Sequence, residues 1–333
     1  MGLADFESRP MTFFSILFAL LAKQFEPLRA DNPFNVAVEA FSLRMEGWFN
    51  AGQATHGRLA WLLTIAAVTL PVALVYWLCL RVHPVLALAW NVVVLYCTLG
   101  FRHYSHYFTS IQLALNAGDD ATARRLLAQW TRADTTALEG PDIARLAIEQ
   151  ALVTSHHHVF GVFFWFLLPL GPACAVMYRV AEHLAKAWNQ PAALKNEAFG
   201  LFAARAFYWI DWIPARLTAV VFAIVGNFED AIYAWRNFAS RWQDEAVGIL
   251  LSAGSGAMGV RLGAAVQTAA DSVLVDTVFL EAAGVDAESQ LGEEASVRAL
   301  QSTVGLVWRA LLLWLLLLLL LSVTVWMGRP TGP

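Results

Sequence analysis

The sequence predicts an all-α fold: a polytopic helical membrane protein with four or five transmembrane helices, helical polar loops and an N-terminal re-entrant or interfacial helix. Three observations point there. Hydrophobic residues make up 58% of the chain against 14% charged, with a mean hydropathy of +0.54, a balance foreign to soluble enzymes. Several apolar runs approach or exceed the roughly 20 residues needed to cross about 30 Å of hydrocarbon. Tryptophan is frequent, 14 in all, and Trp77, Trp90, Trp165, Trp209, Trp212, Trp308 and Trp326 sit near the ends of apolar runs, as an interfacial aromatic belt requires. The net charge of −4 and the lack of a long basic run exclude a nucleic-acid partner. Cys79, Cys97 and Cys174 fall in apolar segments without a CxxC, so they read as packing residues and not as a disulfide framework.

Taken in order, MTFFSILFALLA (residues 11–22) is apolar but too short to span. Asp5 and Glu7 upstream, and no small-residue cleavage site downstream, speak against a secretory signal peptide. This is the re-entrant or interfacial helix, with a tilted span as the second choice. Asn32-Pro33 opens an amphipathic helix to Trp48, completing an N-terminal stretch, 1–59. Residues 60–101 form a transmembrane hairpin: Ala60–Leu80 with Pro71 as a kink, a turn at Arg81-Val-His83-Pro84, and Pro84–Phe101 returning. Residues 102–158 are a polar helical insertion. In it Gly118-Asp119-Asp120 stops one helix and caps the next, and Pro141 opens DIARLAIEQALV, which runs into His156, His157 and His158. Residues 159–227 hold a span broken by Pro169, Gly171 and Pro172, a loop from Arg179 to Arg205, and a membrane segment with Pro214 in its first turn. Residues 228–307 carry an amphipathic helix with Phe228, Ile232, Trp235, Phe238 and Trp242 on one face, the tract SAGSGAMGVRLG, and an acidic region from Asp271 to Glu294. Residues 308–333 hold the C-terminal transmembrane helix, LLLWLLLLLLLS.

Charges in apolar surroundings are the first functional candidates. Arg216 lies at the start of an apolar run, with Asp211 five residues upstream as its expected partner; the plainer reading is a structural pair. Arg145 and Glu149 are spaced i,i+4, either a surface pair worth a few tenths of a kcal/mol or a pair that orients a substrate. His156 and His157, with His183 or with His103 and His106, offer nitrogen donors to Zn²⁺ or another borderline ion. Adjacent residues on a helix do not face one point, and a cap at the membrane interface is the alternative. SAGSGAMGVRLG lacks the Lys-Ser/Thr of a P-loop and reads at least as well as a close-packed helix contact; Arg261 beside it offers an anion contact.

Four blocks, TRADTTALEGPDIARLAIEQALVTSHHHVFGVFFWFL, GPACAVMYRVAEHL, DWIPARLTA and GAMGVRLG, resemble in order the CobD/CbiB family of integral-membrane cobalamin-biosynthesis proteins. That resemblance implies an adenosylcobinamide-phosphate synthase, which joins an aminopropanol, free or phosphorylated, to a carboxylate of adenosylcobyric acid with ATP and Mg²⁺. The layout from MTFFSILFALLAKQFEPL through RHYSHYFT to a lone C-terminal span is similar to AmpE, a related inner-membrane protein associated with β-lactamase induction beside a cytosolic muropeptide amidase. Together the two cover most of residues 11–328. Where the synthases carry Glu-Asn and then Asp-Gly, this chain has Val153, Thr154, His157 and His158. Their Asn-Thr-Leu-Asp-Ser block is Glu182, His183, Leu184, Ala185 and Lys186. Mg²⁺ wants carboxylate oxygens, so these departures remove its likeliest ligands.

The leading expectation is therefore a multi-pass protein of the bacterial inner membrane, in contact with lipid, that acts as a non-catalytic AmpE-type binding or signalling component. It would take a cobalamin precursor or a muropeptide as ligand and a cytosolic amidase as partner. The alternative is the synthase itself, with ATP and Mg²⁺. In either case Arg145, Glu149, Asp211, Arg216 and Arg261 are the expected ligand-binding residues. A transporter-like reading is opposed by the lack of an internal repeat.

Overall fold

The computed structural model describes residues 3–25, 33–50, 54–131, 133–189, 197–242, 244–263 and 292–327. Most of the acidic region, 271–290, lies outside the described residues, as does Arg132. Regular structure among the described residues is helical, apart from one isolated bridge between Val260 and Glu293. The chain forms two compact units, each assembled from separated segments. The first holds Met1–Gly100, His158–Ile210 and Trp314–Pro333; the second holds Phe101–His157 and Asp211–Leu313.

In the first unit, α1 (Leu3–Phe25) packs on α4 (Pro84–Thr98), and α2 (Pro33–Phe49) on α3 (Ala54–Val82). The expected turn between α3 and α4 is present: Pro84 takes the first helical position, and the His83 side chain accepts from the Val85 N–H. Val159–Tyr178 is broken as expected, into a π-helical turn His156–Phe160, a short α8 (Gly161–Phe166) and α9 (Pro172–Ala187). The loop expected over 179–205 is mostly helix, because α9 runs to Ala187 and α10 spans Glu197–Val225. Its charges recur at 179, 182 and 186, the spacing of one helical face, and so mark an amphipathic helix and not a connection. α9 packs against α2, α3, α4 and α8 around Val38, Met45, Val94, Val180, Trp188 and Phe199.

The second unit holds α5 (Phe101–Asn116), α6 (Asp120–Thr131) and α7 (Gly140–Ser155). Gly118, at φ +72°, ends α5 in the left-handed region, and Asp119 Oδ1 accepts from the Thr122 N–H at the start of α6. α11 (Phe228–Phe238) follows the Gly226-Asn227 break and packs on α12 (Glu245–Met258). Of the apolar face expected for α11, Phe238 and Trp242 are buried and Ile232 and Trp235 half-buried, while Phe228 is exposed; Ala231 and Ala234 are buried beside them. Small residues permit closer approach than a Trp or Ile stripe would. A Cβ on Gly256 would stand 2.2 Å from the Asp230 carbonyl oxygen, so the glycine-rich tract serves the close-packed contact.

Among the described residues, three helices are long and apolar enough to cross a membrane: Thr55–Val82, Phe199–Val225 and Val297–Thr324, the last within α13 (Val297–Met327). Leu62, Leu70 and Leu74 on the first and Leu312, Leu316 and Leu320 on the last are exposed, as lipid-facing side chains are. Thr12–Lys23, Pro84–Thr98 and Glu245–Met258 are shorter apolar helices. Pro214 is not in a first turn, as expected, but inside α10, because the aromatic run before it is already helical. Its missing N–H leaves the Ile210 carbonyl without the usual donor, where the chain passes from one unit to the other.

Candidate functional site

Helix α7 carries its charges inward. Asp142, Arg145 and Glu149, at i, i+3 and i+7, share one face, and Arg145 and Glu149 are 4% and 2% exposed. Arg145 Nη2 donates to Asp142 Oδ1 at 3.0 Å, and Nη1 reaches Glu149 Oε1 at 3.5 Å. The same Oε1 accepts the Gly263 N–H at 2.7 Å. Gly263 has φ +78°, and the Trp242 ring fills the place of a Cβ, so only glycine presents its amide there. Glu149 Oε2 is buried without a hydrogen-bond partner. Burial raises the Glu149 pKa, against the opposing Arg145 charge and the Gly263 N–H. Such a carboxylate is suited to a cation or a proton.

About two helical turns beyond Glu149, about 10 Å along the axis, the face reaches His156. Here the backbone changes to a π-turn, whose wider winding re-aims successive side chains. The His156 and His157 rings lie with centroids 5.2 Å apart, and both address Asp211. His156 Nε2 is 2.9 Å from Asp211 Oδ1, and His157 Nε2 is 3.6 Å from Oδ2. His156 Nδ1 is 2.9 Å from Thr218 Oγ1. Asp211 and Thr218 are seven apart on α10, hence on one face, and all four residues are buried. Among the described residues, His156, His157 and Asp211 form the one group of three possible metal-ligating atoms, all within 4.8 Å of one another.

His158, the third histidine of the run, belongs to the first unit. Its Nε2 lies 3.7 Å from Glu182 Oε1, and Glu182 is also paired with Arg179 and, at 2.9 Å, with Lys186 Nζ. Burial alone would raise the Glu182 carboxyl, but the Arg179 and Lys186 charges outweigh it and hold it well below the usual carboxylate range. Burial and then the Arg179 charge pull the His158 imidazole down to about 3, leaving it neutral at physiological pH. Gly100 packs directly on this ring: a Cβ there would stand 2.2 Å from His158 Nδ1.

Of the residues expected from sequence, Arg145 and Glu149 meet in one buried cluster, and Asp211 anchors another. The expected Asp211–Arg216 pair is not formed. Five residues on a helix turn through about 140°, so the two side chains diverge. Arg216 donates instead to Glu245 Oε1 at 2.7 Å and to the Trp212 carbonyl at 3.0 Å, with its guanidinium 3.9 Å from the Trp212 ring. Arg261 is half-buried two residues before Gly263, and its backbone N–H donates to the Glu293 carbonyl. His183 does not join the other two histidines: on α9 in the first unit, its Nε2 faces Ser42 Oγ at 3.2 Å. His106 is exposed against Tyr107, and the His103 side chain lies outside the described residues. The sequence reading missed the Glu182 cluster, although the 179, 182, 186 spacing was its signal. It also missed Asp211 as the partner of His156, for which no local signal exists.

A family model described as CobD/Cbib protein matches residues 26–288. The chain belongs to the CobD/Cbib protein family. Over 313 residues it is 33% identical to a protein named cobalamin biosynthesis protein CobD from Stutzerimonas stutzeri, covering 92% of this chain and 97% of the relative. Family members of the same name from Chromobacterium violaceum (34% over 209 residues, 62% of this chain and 65% of the relative) and Mycobacterium tuberculosis strain CDC 1551 / Oshkosh (30% over 190 residues, 55% and 58%) are also similar. No solved structure matches. As a CobD/Cbib member with three spanning-length apolar helices, the chain is a multi-pass membrane protein.

Proposed function

We propose that this chain is a cobalamin-biosynthesis enzyme of the bacterial inner membrane, an ATP- and Mg²⁺-dependent ligase that joins an aminopropanol to a carboxylate of adenosylcobyric acid. The observation that carries this reading is similarity to a protein named for cobalamin biosynthesis along 97% of that relative's length. It favours the synthase over the AmpE-type modulator expected first.

The buried α7 cluster suits such chemistry. Adenosylcobyric acid, aminopropanol phosphate and ATP present carboxylate or phosphate oxygens, and the planar guanidinium of Arg145 binds such groups through paired N–H donors. Held between Asp142 and Glu149, it is already oriented. Mg²⁺ usually takes one or two protein carboxylates together with nucleotide phosphates. Glu149 Oε2, buried without a partner, and Asp142 are the oxygen donors on this helix that fit it. When bound, the ion would neutralise phosphate charge. The imidazole-rich group at Asp211 does not fit a hard ion.

The test is amide formation by the purified protein in detergent, given adenosylcobyric acid, aminopropanol phosphate, ATP and Mg²⁺, beside an active synthase. Turnover is expected, and Glu149→Gln, which keeps an oxygen for the Gly263 N–H, should lower it by about 100-fold. No turnover beside an active control returns the chain to a binding role, with muropeptides the next ligands to try.

A further inference from the structure

The geometry points to a second cation locus, distinct from the Mg²⁺ donors on α7: a site for a borderline divalent ion of the Zn²⁺ class, formed by His156, His157 and Asp211. The donors come from two elements 55 residues apart in sequence, so local periodicity does not account for their meeting. At metal–ligand bonds of about 2.0–2.1 Å, the edges of a tetrahedral site are about 3.3 Å. His156 Nε2 lies 2.9 Å from Asp211 Oδ1 and His157 Nε2 3.6 Å from Oδ2, and one ligand atom from each residue can be chosen with all three within 4.8 Å of one another, so modest side-chain adjustment closes them on an ion. Three protein ligands leave a fourth position for water or substrate, the pattern of catalytic zinc sites.

The surroundings fit the same reading. A ligating imidazole commonly gives its other ring N–H to an oxygen acceptor that fixes the tautomer. Thr218 Oγ1, 2.9 Å from His156 Nδ1, is placed to accept that N–H when Nε2 is turned to a metal beside Asp211. Without a cation, a proton must lie between Nε2 and Oδ1; a metal ion takes that place and offsets the carboxylate charge. Two imidazoles and one carboxylate match the preference of Zn²⁺, Co²⁺ or Ni²⁺ and not that of Mg²⁺. The π-turn that aims both rings is costly local geometry of a kind concentrated at functional sites.

The experiment is metal binding by the full-length protein in detergent, stripped with a chelator and titrated with Zn²⁺ and with Co²⁺, reading stoichiometry by elemental analysis and geometry by Co²⁺ absorption. One ion per chain with a tetrahedral or five-coordinate Co²⁺ spectrum is expected. His156→Ala, His157→Ala and Asp211→Asn should each weaken it by about tenfold or more, while His106→Ala and His183→Ala leave it unchanged. Thr218→Val keeps every ligand and should weaken affinity by about 10–100-fold. Failure of the unmodified protein to take up stoichiometric metal overturns the site, whatever the variants do. So does full uptake by the His156→Ala/His157→Ala double variant. The readout does not depend on amide formation, so this site and the synthase reading fail separately.

Discussion

Glu182 in the first unit and Asp211 in the second are both buried among basic groups, and the two differ in what those groups are. Glu182 is met by Arg179 and Lys186, which carry permanent charge, with His158 beside it as a neutral ring. Asp211 is met by two imidazoles, one of them also bonded to the Thr218 hydroxyl, and the place between ring nitrogen and carboxylate takes a proton or a metal ion. The first arrangement is electrically complete and reads as a structural pin for α9. The second can exchange a proton for a metal ion between the same atoms, which the first cannot.

Breaking each carboxylate in turn is the strongest test of that distinction. Glu182→Ala leaves the largely covered Arg179, 12% exposed, without its counter-charge and should destabilise the protein by roughly 3 kcal/mol. Asp211→Asn keeps hydrogen-bonding atoms for both imidazoles and should cost about 1 kcal/mol in metal-free protein. Thermal denaturation in detergent measures both, and equal losses would erase the contrast. Gly100→Ala comes next: the added methyl falls on His158, and overpacking of this kind costs about 1–3 kcal/mol. Unchanged stability there would mean that His158 can shift aside and that the Glu182 cluster is loosely packed.

Acid should separate the clusters as well. The folded His158 pKa, about 3, lies below its ordinary value of 6.5, so the unfolded chain binds the extra proton and stability falls as pH drops from 6.5 towards 3. Glu182, also depressed, adds to the loss below 4.5. Glu149 has the opposite sign: its raised pKa makes its contribution fullest below 4.5 and lost as pH rises through the folded value. His158 keeps 22% side-chain exposure, through which water moderates the effect. Melting temperature against pH should therefore lose part of its acid limb in His158→Asn; an unaltered acid limb would count against the assignment. The smallest effect is expected for Arg216→Ala, about 1 kcal/mol or less, because its partner Glu245 is exposed. A loss as large as that of Glu182→Ala would restore Arg216 to the central place its sequence context suggested.

Legibility followed the range of each interaction. The α3–α4 turn, the Gly118–Asp119 stop and cap, the break between α8 and α9 and the Arg145–Glu149 pair are encoded within four or five residues, and each was readable. Pro214 misled, because a favoured first-turn residue is also tolerated inside a membrane helix whose flanking run continues. Asp211 misled for a different reason: its nearest opposite charge along the chain, Arg216, projects from another side of the same helix.

By itself, then, the sequence determined a helical membrane protein, the three long apolar segments, the charged stripe on α7 and the membership of its family. These depend on composition, helical periodicity and residue identity, which are local or additive properties of the chain. Only the tertiary structure decided which carboxylate meets which base. His156 and His157 turn to Asp211, His158 lies beside Glu182, and Gly263 reaches Glu149 across 114 residues. Such pairings depend on where separate helices are packed and on the π-turn that re-aims three adjacent rings, and a linear spacing rule carries neither.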